Sequence, residues 1–308
     1  MTTSSAPGKI ILLGEHAVVY GRPALAVPVS EVQALAEVAD SPSSGIHLRA
    51  PDVGLEAELN DLDPQHPLKL LISLVFRQLG ISKPPDLAIH ITSTIPVAAG
   101  LGSGAAVSVA LIRALAGFLG QTLTDEQVSE LAFEVEKLHH GTPSGIDNTV
   151  IAHGKPVYFL QGQPMELLNP GAAFTLVIGD TGIPAPTKEA VADVRSLRQA
   201  HHGRVERIFD DIGGLVTAAR ALLLSGEWRR LGELMDADHA LLQELTVSCP
   251  ELDRLVQTAR RSGARGAKLS GGGRGGNMIA LVEKENAPRV AGALRDAGAV
   301  GTIITRVG

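Results

Sequence analysis

Asp147 stands in Pro143-Ser144-Gly145-Ile146-Asp147-Asn148, a turn-forming run just past a helical segment. A carboxylate in such a place can accept a hydroxyl proton, or orient that hydroxyl for in-line attack on a phosphoryl group. The same residue can also close an Asx turn or cap a helix. Lys9 follows Gly8 in Ala6-Pro7-Gly8-Lys9. A cation there lowers the pKa of a nearby acid and offsets charge on a transferring phosphoryl group. Read alone, a lysine is an ordinary solvated residue. Glu136 can supply an oxygen to Mg2+, which takes one or two protein oxygens and completes its shell with phosphate oxygens and water. Its plain alternative is a solvated helix carboxylate. Gly100-Leu101-Gly102-Ser103-Gly104 runs directly into an apolar helical stretch. Glycines there let backbone N–H groups converge, and the helix N-terminus adds about half a positive charge, an arrangement suited to phosphate. A tight strand-to-helix turn has the same composition. No Gly-Lys-Ser/Thr follows, so this is not a Walker A loop, and Gly266-Ala267-Lys268-Leu269-Ser270 fails that pattern too.

Gly271-Gly272-Gly273-Arg274-Gly275-Gly276 matches G-x-G-x-x-G, but an apolar, strand-like run follows it where a dinucleotide fingerprint needs a helix. Glycines between two strands let one backbone pack closely on a neighbour or ligand, or form a flexible hairpin. His139-His140 and His201-His202 lack zinc spacing and cysteine partners and read as structural or exposed. Cys249, before Pro250, reads as a packed thiol with no assignable base.

These groups need elements to hold them. Apolar runs and alternation predict strands over 10–13, 24–29, 32–38, 47–49, 55–59, 87–92, 150–152, 157–160, 174–179, 267–269, 277–282 and 302–307. Helical spacing predicts helices over 68–79, from 105 onward, over 188–261 with breaks, and over 287–297. Thr124 with Gln127 forms a capping box, and Val128, Leu131, Ala132, Val135 and Leu138 follow on one face, with Gly141 as the stop. Glu136 lies at the edge of that stripe, at the border of core and solvent. Around Asn169-Pro170-Gly171 the pattern changes.

The bulk composition fits a soluble α/β or α+β enzyme. At 308 residues and 44% hydrophobic, the chain can bury one large core or two medium ones. Its net charge of −6 and the lack of a basic stripe argue against nucleic-acid or anionic-membrane partners. A single cysteine excludes an internal disulfide framework and fits a reducing cytosol. The start, Met1-Thr2-Thr3-Ser4-Ser5, does not read as a signal peptide, and the longest apolar stretch, 105–119, is too short and too polar to span a bilayer. The expected location is therefore cytoplasmic.

Four signatures in this order resemble the GHMP small-molecule kinases, and within them the branch that acts on mevalonate. They are Ala6-Pro7-Gly8-Lys9 with Gly14-Glu15-His16-Ala17-Val18-Val19-Tyr20-Gly21, then the 96–106 loop, then 140–148, then 268–276. The resemblance covers nearly the whole chain. Galactokinases carry Thr-Asp-Tyr after Gly-Glu-His, and this chain lacks that sugar-facing Asp. The resemblance implies an α+β, two-domain fold. An N-terminal ATP-binding domain like ribosomal protein S5 domain 2 would span 1–170, and a ferredoxin-like domain 171–308, with the site between them. It implies ATP and Mg2+ as cofactors and transfer to the 5-hydroxyl of mevalonate. Asp147 would be the catalytic acid residue and Lys9 its partner. Pro96, Ala99, Gly100, Leu101, Gly102, Ser103, Gly104 and Ala105 would hold the ATP phosphates. Glu136 and Ser103 would serve Mg2+, and Glu15, His16, Thr187 and Gly272 would face the substrate or support the site. Dimers are common among such relatives, so a homodimer joins the expected partners.

The chain departs from the family pattern twice. Gly104 stands where the family has a second serine as an Mg2+ ligand, and Arg274 stands where it has Gly or Ala. Two alternatives stay open: a GHMP kinase acting on phosphomevalonate, a sugar or a homoserine-type alcohol, and a nucleotide-binding sensor without turnover.

Overall fold

The computed structural model describes residues 1–96, 100–140, 144–185 and 187–308, with the backbone alone for His139 and His140. Ala99 and Gly141, both singled out in the sequence, lie outside the described residues. The chain divides into two compact units of interleaved segments. The first comprises Met1–Gly8, Val32–Pro96 and Gly102–Gly154, and the second comprises Lys9–Glu31, residues 100–101 and Lys155–Gly308. Strands β1 (Thr2–Leu13) and β2 (Ala24–Asp40) each run from one unit into the other.

In the first unit, Ala34–Asp40 of β2 pairs antiparallel with β5 (Leu87–Ser93). That strand pairs in parallel with β3 (Ile46–Ala50), and β3 pairs antiparallel with β4 (Leu55–Glu58). Helices α1 (Pro67–Gln78), α2 (Ser103–Phe118), α3 (Asp125–His140) and α4 (Ile146–His153) pack on one another beside this sheet. Ala105, Ala106, Val109, Ala110, Leu111, Ile112, Ala114, Leu115 and Ala116 make α2 a buried central helix, as its near-continuous apolar sequence requires. The capping box forms: Thr124 N–H donates to Gln127 Oε1 at 2.9 Å, and Gln127 N–H donates to Thr124 Oγ1 at 3.3 Å.

In the second unit, Ala24–Ala26 of β2 pairs with β6 (Val157–Phe159), and β6 pairs with β7 (Glu166–Leu167). Strands β8 (Phe174–Asp180), β9 (Gly266–Ser270), β10 (Asn277–Val282) and β11 (Gly301–Val307) form an antiparallel sheet in the order β11-β8-β10-β9. Counted within the sheet this is 4-1-3-2, the order of the ferredoxin-like βαββαβ arrangement. The helices between β8 and β9 are α5 (Thr187–Ala200), α6 (His202–Ser225), α7 (Leu231–Glu244) and α8 (Pro250–Arg261), and α9 (Ala287–Asp296) joins β10 to β11. Helix α8 packs on β9 and β10, and α9 on β8 and β11. No helix among the described residues is long and apolar enough to cross a membrane.

Several local expectations are corrected. Residues 150–152, expected as a strand, lie inside α4. Their β-branched run is overridden because Gly145, at φ 81°, starts a helix that buries Val150, Ile151 and Ala152. Asp147 accordingly belongs to the first turn of α4 and not to a turn outside it. The separate strands expected over 24–29 and 32–38 are one strand, β2. Pro28 falls outside both the β5 and the β6 ladder of this strand, which also pairs with β1. Strand β1 starts at Thr2 and not at Ile10. Glu136, expected at the border of core and solvent, is 7% exposed.

Candidate active site

In the first unit the glycine loop ends at Gly102, whose φ of 74° sets the N-cap of α2, and no side chain among the described residues caps that end. The first N–H groups of a helix have no intrahelical acceptors, so this end favours an anion. Glu136, on α3, brings its carboxylate over the same turn: a Cβ added at Gly104 would sit 3.5 Å from Glu136 Oε1. A buried carboxylate beside an anion-binding helix end is chemically suited to a hard cation shared with phosphate oxygens. Ser103, half-buried on the first residue of α2, adds a hydroxyl.

Asp147 is half-buried in the first turn of α4, where the helix dipole favours a carboxylate. Its neighbours fix that helix. Asn148 Nδ2 donates to the Ser129 carbonyl at 3.0 Å and to Ser129 Oγ at 2.8 Å. Thr149 Oγ1 donates to the Gly145 carbonyl at 2.8 Å. Pro96, also in this unit, is exposed, and Ala105 is buried.

In the second unit the N–H of Lys9 donates to the Leu101 carbonyl at 2.9 Å, which ties the strand carrying Lys9 to Gly100 and Leu101 of the loop. The Lys9 side chain is buried, at 7% exposure. After β1 the chain turns through Gly14, Glu15 and His16, and His16 takes φ 60°, a left-handed conformation that is strained for a non-glycine residue. Its ring lies 3.1 Å from the Gly272 carbonyl through Nε2. A carbonyl only accepts, so Nε2 carries the hydrogen and Nδ1 is left as an acceptor. Burial, foremost, pushes the His16 pKa below 6.5. The Arg274 and Lys268 charges add to this, against the opposing hydrogen bond that His16 donates to the Gly272 carbonyl and the Glu15 charge. His16 is therefore neutral near pH 7.

Thr187, at the start of α5, lies against Gly272: a Cβ added there would meet Thr187 Oγ1 at 2.7 Å. The glycine run is thus a packed device and not a flexible hairpin. Arg274 takes φ 60°, donates its N–H to the Val247 carbonyl at 2.8 Å, and pairs its guanidinium with Asp193 of α5.

The structure brings Glu136, Ser103 and Gly104 together in the first unit, which also holds Asp147. It brings His16, Gly272 and Thr187 together in the second, which also holds Lys9 and Glu15. The sequence reading gave Lys268, quoted only within the 266–270 and 268–276 runs, no role, and missed Asp238. Lys268 is fully buried, with its ammonium on Glu15 and 3.3 Å from Asp238 Oδ2. A signal for Asp238 was present: it falls on the α7 stripe of Leu231, Met235 and Leu242, all buried.

Residues 67–155 match the family described as GHMP kinases N terminal domain, and residues 219–300 match GHMP kinases C terminal. The mevalonate kinase of Pyrococcus abyssi is 37% identical over 333 residues, spanning 100% of this chain and 96% of its own. The chain belongs to the GHMP kinase family. The mevalonate kinase of Pyrococcus horikoshii is 38% identical across 99% of this chain and 95% of its own. A crystal structure of L. major mevalonate kinase in complex with R-mevalonate superposes with TM-score 0.86 at 31% identity, covering 100% of this chain and 96% of that one.

Within this GHMP kinase, Gly104 invites a direct test. Gly104→Ser is expected to fold as well as the parent, because Gly104 is helical and its Cβ would meet only Glu136 Oε1, at ordinary contact distance. The serine would add an oxygen beside Glu136. The Mg2+ concentration giving half-maximal rate is expected to fall by about threefold or more, on the scale of one added hydrogen-bonding or ligand oxygen. A Mg2+ titration of the rate, paired with a melting curve, checks this.

Proposed function

We propose that this GHMP kinase transfers the γ-phosphoryl group of ATP to the 5-hydroxyl of mevalonate, giving 5-phosphomevalonate and ADP. The observation that carries the reading is the neutral, buried His16 seated on the Gly272 carbonyl beside Thr187. This arrangement offers Nδ1 as an acceptor and a threonine hydroxyl to a small hydroxylated acid. The full-length likeness to proteins named mevalonate kinase supports the same substrate.

In this reading Asp147 accepts the hydrogen bond of the attacking hydroxyl, and the proton leaves toward it as the new O–P bond forms and the bond to ADP breaks. Lys9 offsets charge on the transferring group. The α2 N-terminus, with the 100–104 loop, receives the ATP phosphates. Glu136 and Ser103 would hold Mg2+, which when bound neutralises phosphate charge.

The test is ADP release with Mg-ATP and four acceptors: mevalonate, phosphomevalonate, galactose and homoserine. Turnover on mevalonate is expected, with the others at background. Preference for any other acceptor would replace the substrate, and ATP binding without turnover on any of them would replace the activity.

A further inference from the structure

The second unit buries three charges together, and the phosphoryl transfer gives two of them, Lys268 and Asp238, no role. Lys268 on β9 and Asp238 on α7 are each 0% exposed, and Glu15 is 4% exposed. The Lys268 ammonium pairs with Glu15 Oε1, lies 3.3 Å from Asp238 Oδ2, and donates to the Leu269 carbonyl at 2.7 Å. One ammonium thus faces two carboxylates. Among the described residues, Glu15 Oε2 and Asp238 Oδ1 have no hydrogen-bond partner, and Asp238 Oδ2 has only the Lys268 ammonium, at 3.3 Å. Buried ion pairs seldom outperform apolar replacements in stability, and an excess buried charge is worse. Stability alone therefore does not account for the set.

Its geometry does suggest a role. Glu15 and His16 are consecutive, and both are gripped by one short segment: Glu15 by Lys268, and His16 by the Gly272 carbonyl four residues on. His16 sits in a left-handed conformation that surrounding contacts must maintain. We propose that Lys268 and Asp238 are positioning residues for the substrate loop: Lys268 clamps Glu15 and so aims His16, and Asp238 competes for the same ammonium and sets how firmly the clamp holds. This rests on the reading that Glu15 and His16 serve mevalonate.

The charge state of Asp238 is the control. Burial, foremost, raises its pKa to about 7, with the Glu15 charge adding and Lys268 opposing. Below pH 7 Asp238 is neutral and Lys268 belongs wholly to Glu15; above it, two carboxylates divide one ammonium. Two further charged or titratable groups of α7 are paired elsewhere. His239 lies 3.2 Å from Asp253 of α8 and has its pKa lowered to about 4, mainly by burial, while Asp236 takes Arg260 of α8. His16 titrates below 6.5. Neither histidine changes charge on crossing pH 7.

The experiment measures initial rates of the full chain at saturating Mg-ATP, with mevalonate varied from pH 6 to 9. For the parent, KM for mevalonate is expected to rise above pH 7, by at most about tenfold per pH unit for one linked proton, with kcat changing less than KM. For Asp238→Asn, KM is expected to stay low and flat across the range, with melting at pH 8 no lower than the parent's. Lys268→Met is expected to raise KM for mevalonate at every pH while Mg-ATP affinity, read by calorimetry, is kept. A parent that does not turn over mevalonate overturns the functional reading. A parent that does, with Asp238→Asn tracing the same KM course, overturns the positioning role, whether or not Lys268→Met folds.

Discussion

Asp147→Asn is expected to abolish turnover on mevalonate, lowering kcat by about 10³-fold or more, the span a general acid–base or hydroxyl-orienting group contributes. The melting temperature should stay within a degree or two of the parent's. Asparagine is the same size, and the seat of α4 is carried by Asn148 and Thr149 through Ser129 and Gly145. In the proposed role of Asp147, the change removes the negative charge that would receive the hydroxyl's hydrogen and leaves the α2 N-terminus and Glu136 unaltered. Nucleotide affinity is therefore expected to persist while transfer is lost, a pattern that separates catalysis from binding. Stopped assays with the acceptor saturating, together with ATP binding by calorimetry, decide it. Retention of a tenth of parental kcat would remove Asp147 from its role.

The second large effect concerns stability. Gly271 and Gly273 have φ 84° and 77°, conformations that glycine adopts freely and alanine does not. A Cβ at Gly271 would meet nothing within 4 Å, whereas one at Gly273 would lie 1.9 Å from the Val247 carbonyl oxygen. Gly271→Ala should therefore cost only the left-handed penalty, about 1–2 kcal/mol. Gly273→Ala adds a backbone collision that forces the loop or 246–247 to move, for a total of about 3–4 kcal/mol. The melting temperature should fall by roughly 5–10 °C for Gly273→Ala and by less than half of that for Gly271→Ala. Because the Gly272 carbonyl holds His16 from the middle of this run, the Gly273 variant should also raise KM for mevalonate. Equal melting of the two variants would mean that close approach, as distinct from φ, has no part in the loop.

Much of this molecule was legible before folding. The box at Thr124 and Gln127 and the buried α2 follow from local chemistry and periodicity, whereas the ferredoxin-like half came only from the family resemblance. The strand expected over 150–152 failed because β-branched residues report a preference for pleated, half-buried surroundings, and at α4 the capping glycine and burial on α3 prevailed. The two strands read into 24–38 failed because Pro28 falls between the β5 and β6 ladders of one continuous strand and breaks neither. Among site residues, Glu15 and His16 were visible as a motif, but their supports were not. Lys268 comes 253 positions after Glu15, and no local pattern pairs residues so far apart. Asp238 was hidden differently: the stripe placed it in the core, but nothing local says which charge it will meet there.

The interleaving of the two units reaches into synthesis. The first unit ends at Gly154, so all of it has been made once that residue leaves the ribosome. The second unit draws on Lys9–Glu31, made before most of the first unit, and on everything from Lys155 to Gly308. At ordinary elongation rates the later piece takes about 8–30 s to appear. Through that interval Lys9, Glu15 and His16 exist without the strand and helices that will bury them. Glu15 lacks its lysine until position 268 emerges, and His16 lacks its carbonyl until four residues later. Nascent chains halted between 154 and 266 should therefore show a protease-resistant first unit and an N-terminal segment that is cut within 9–31.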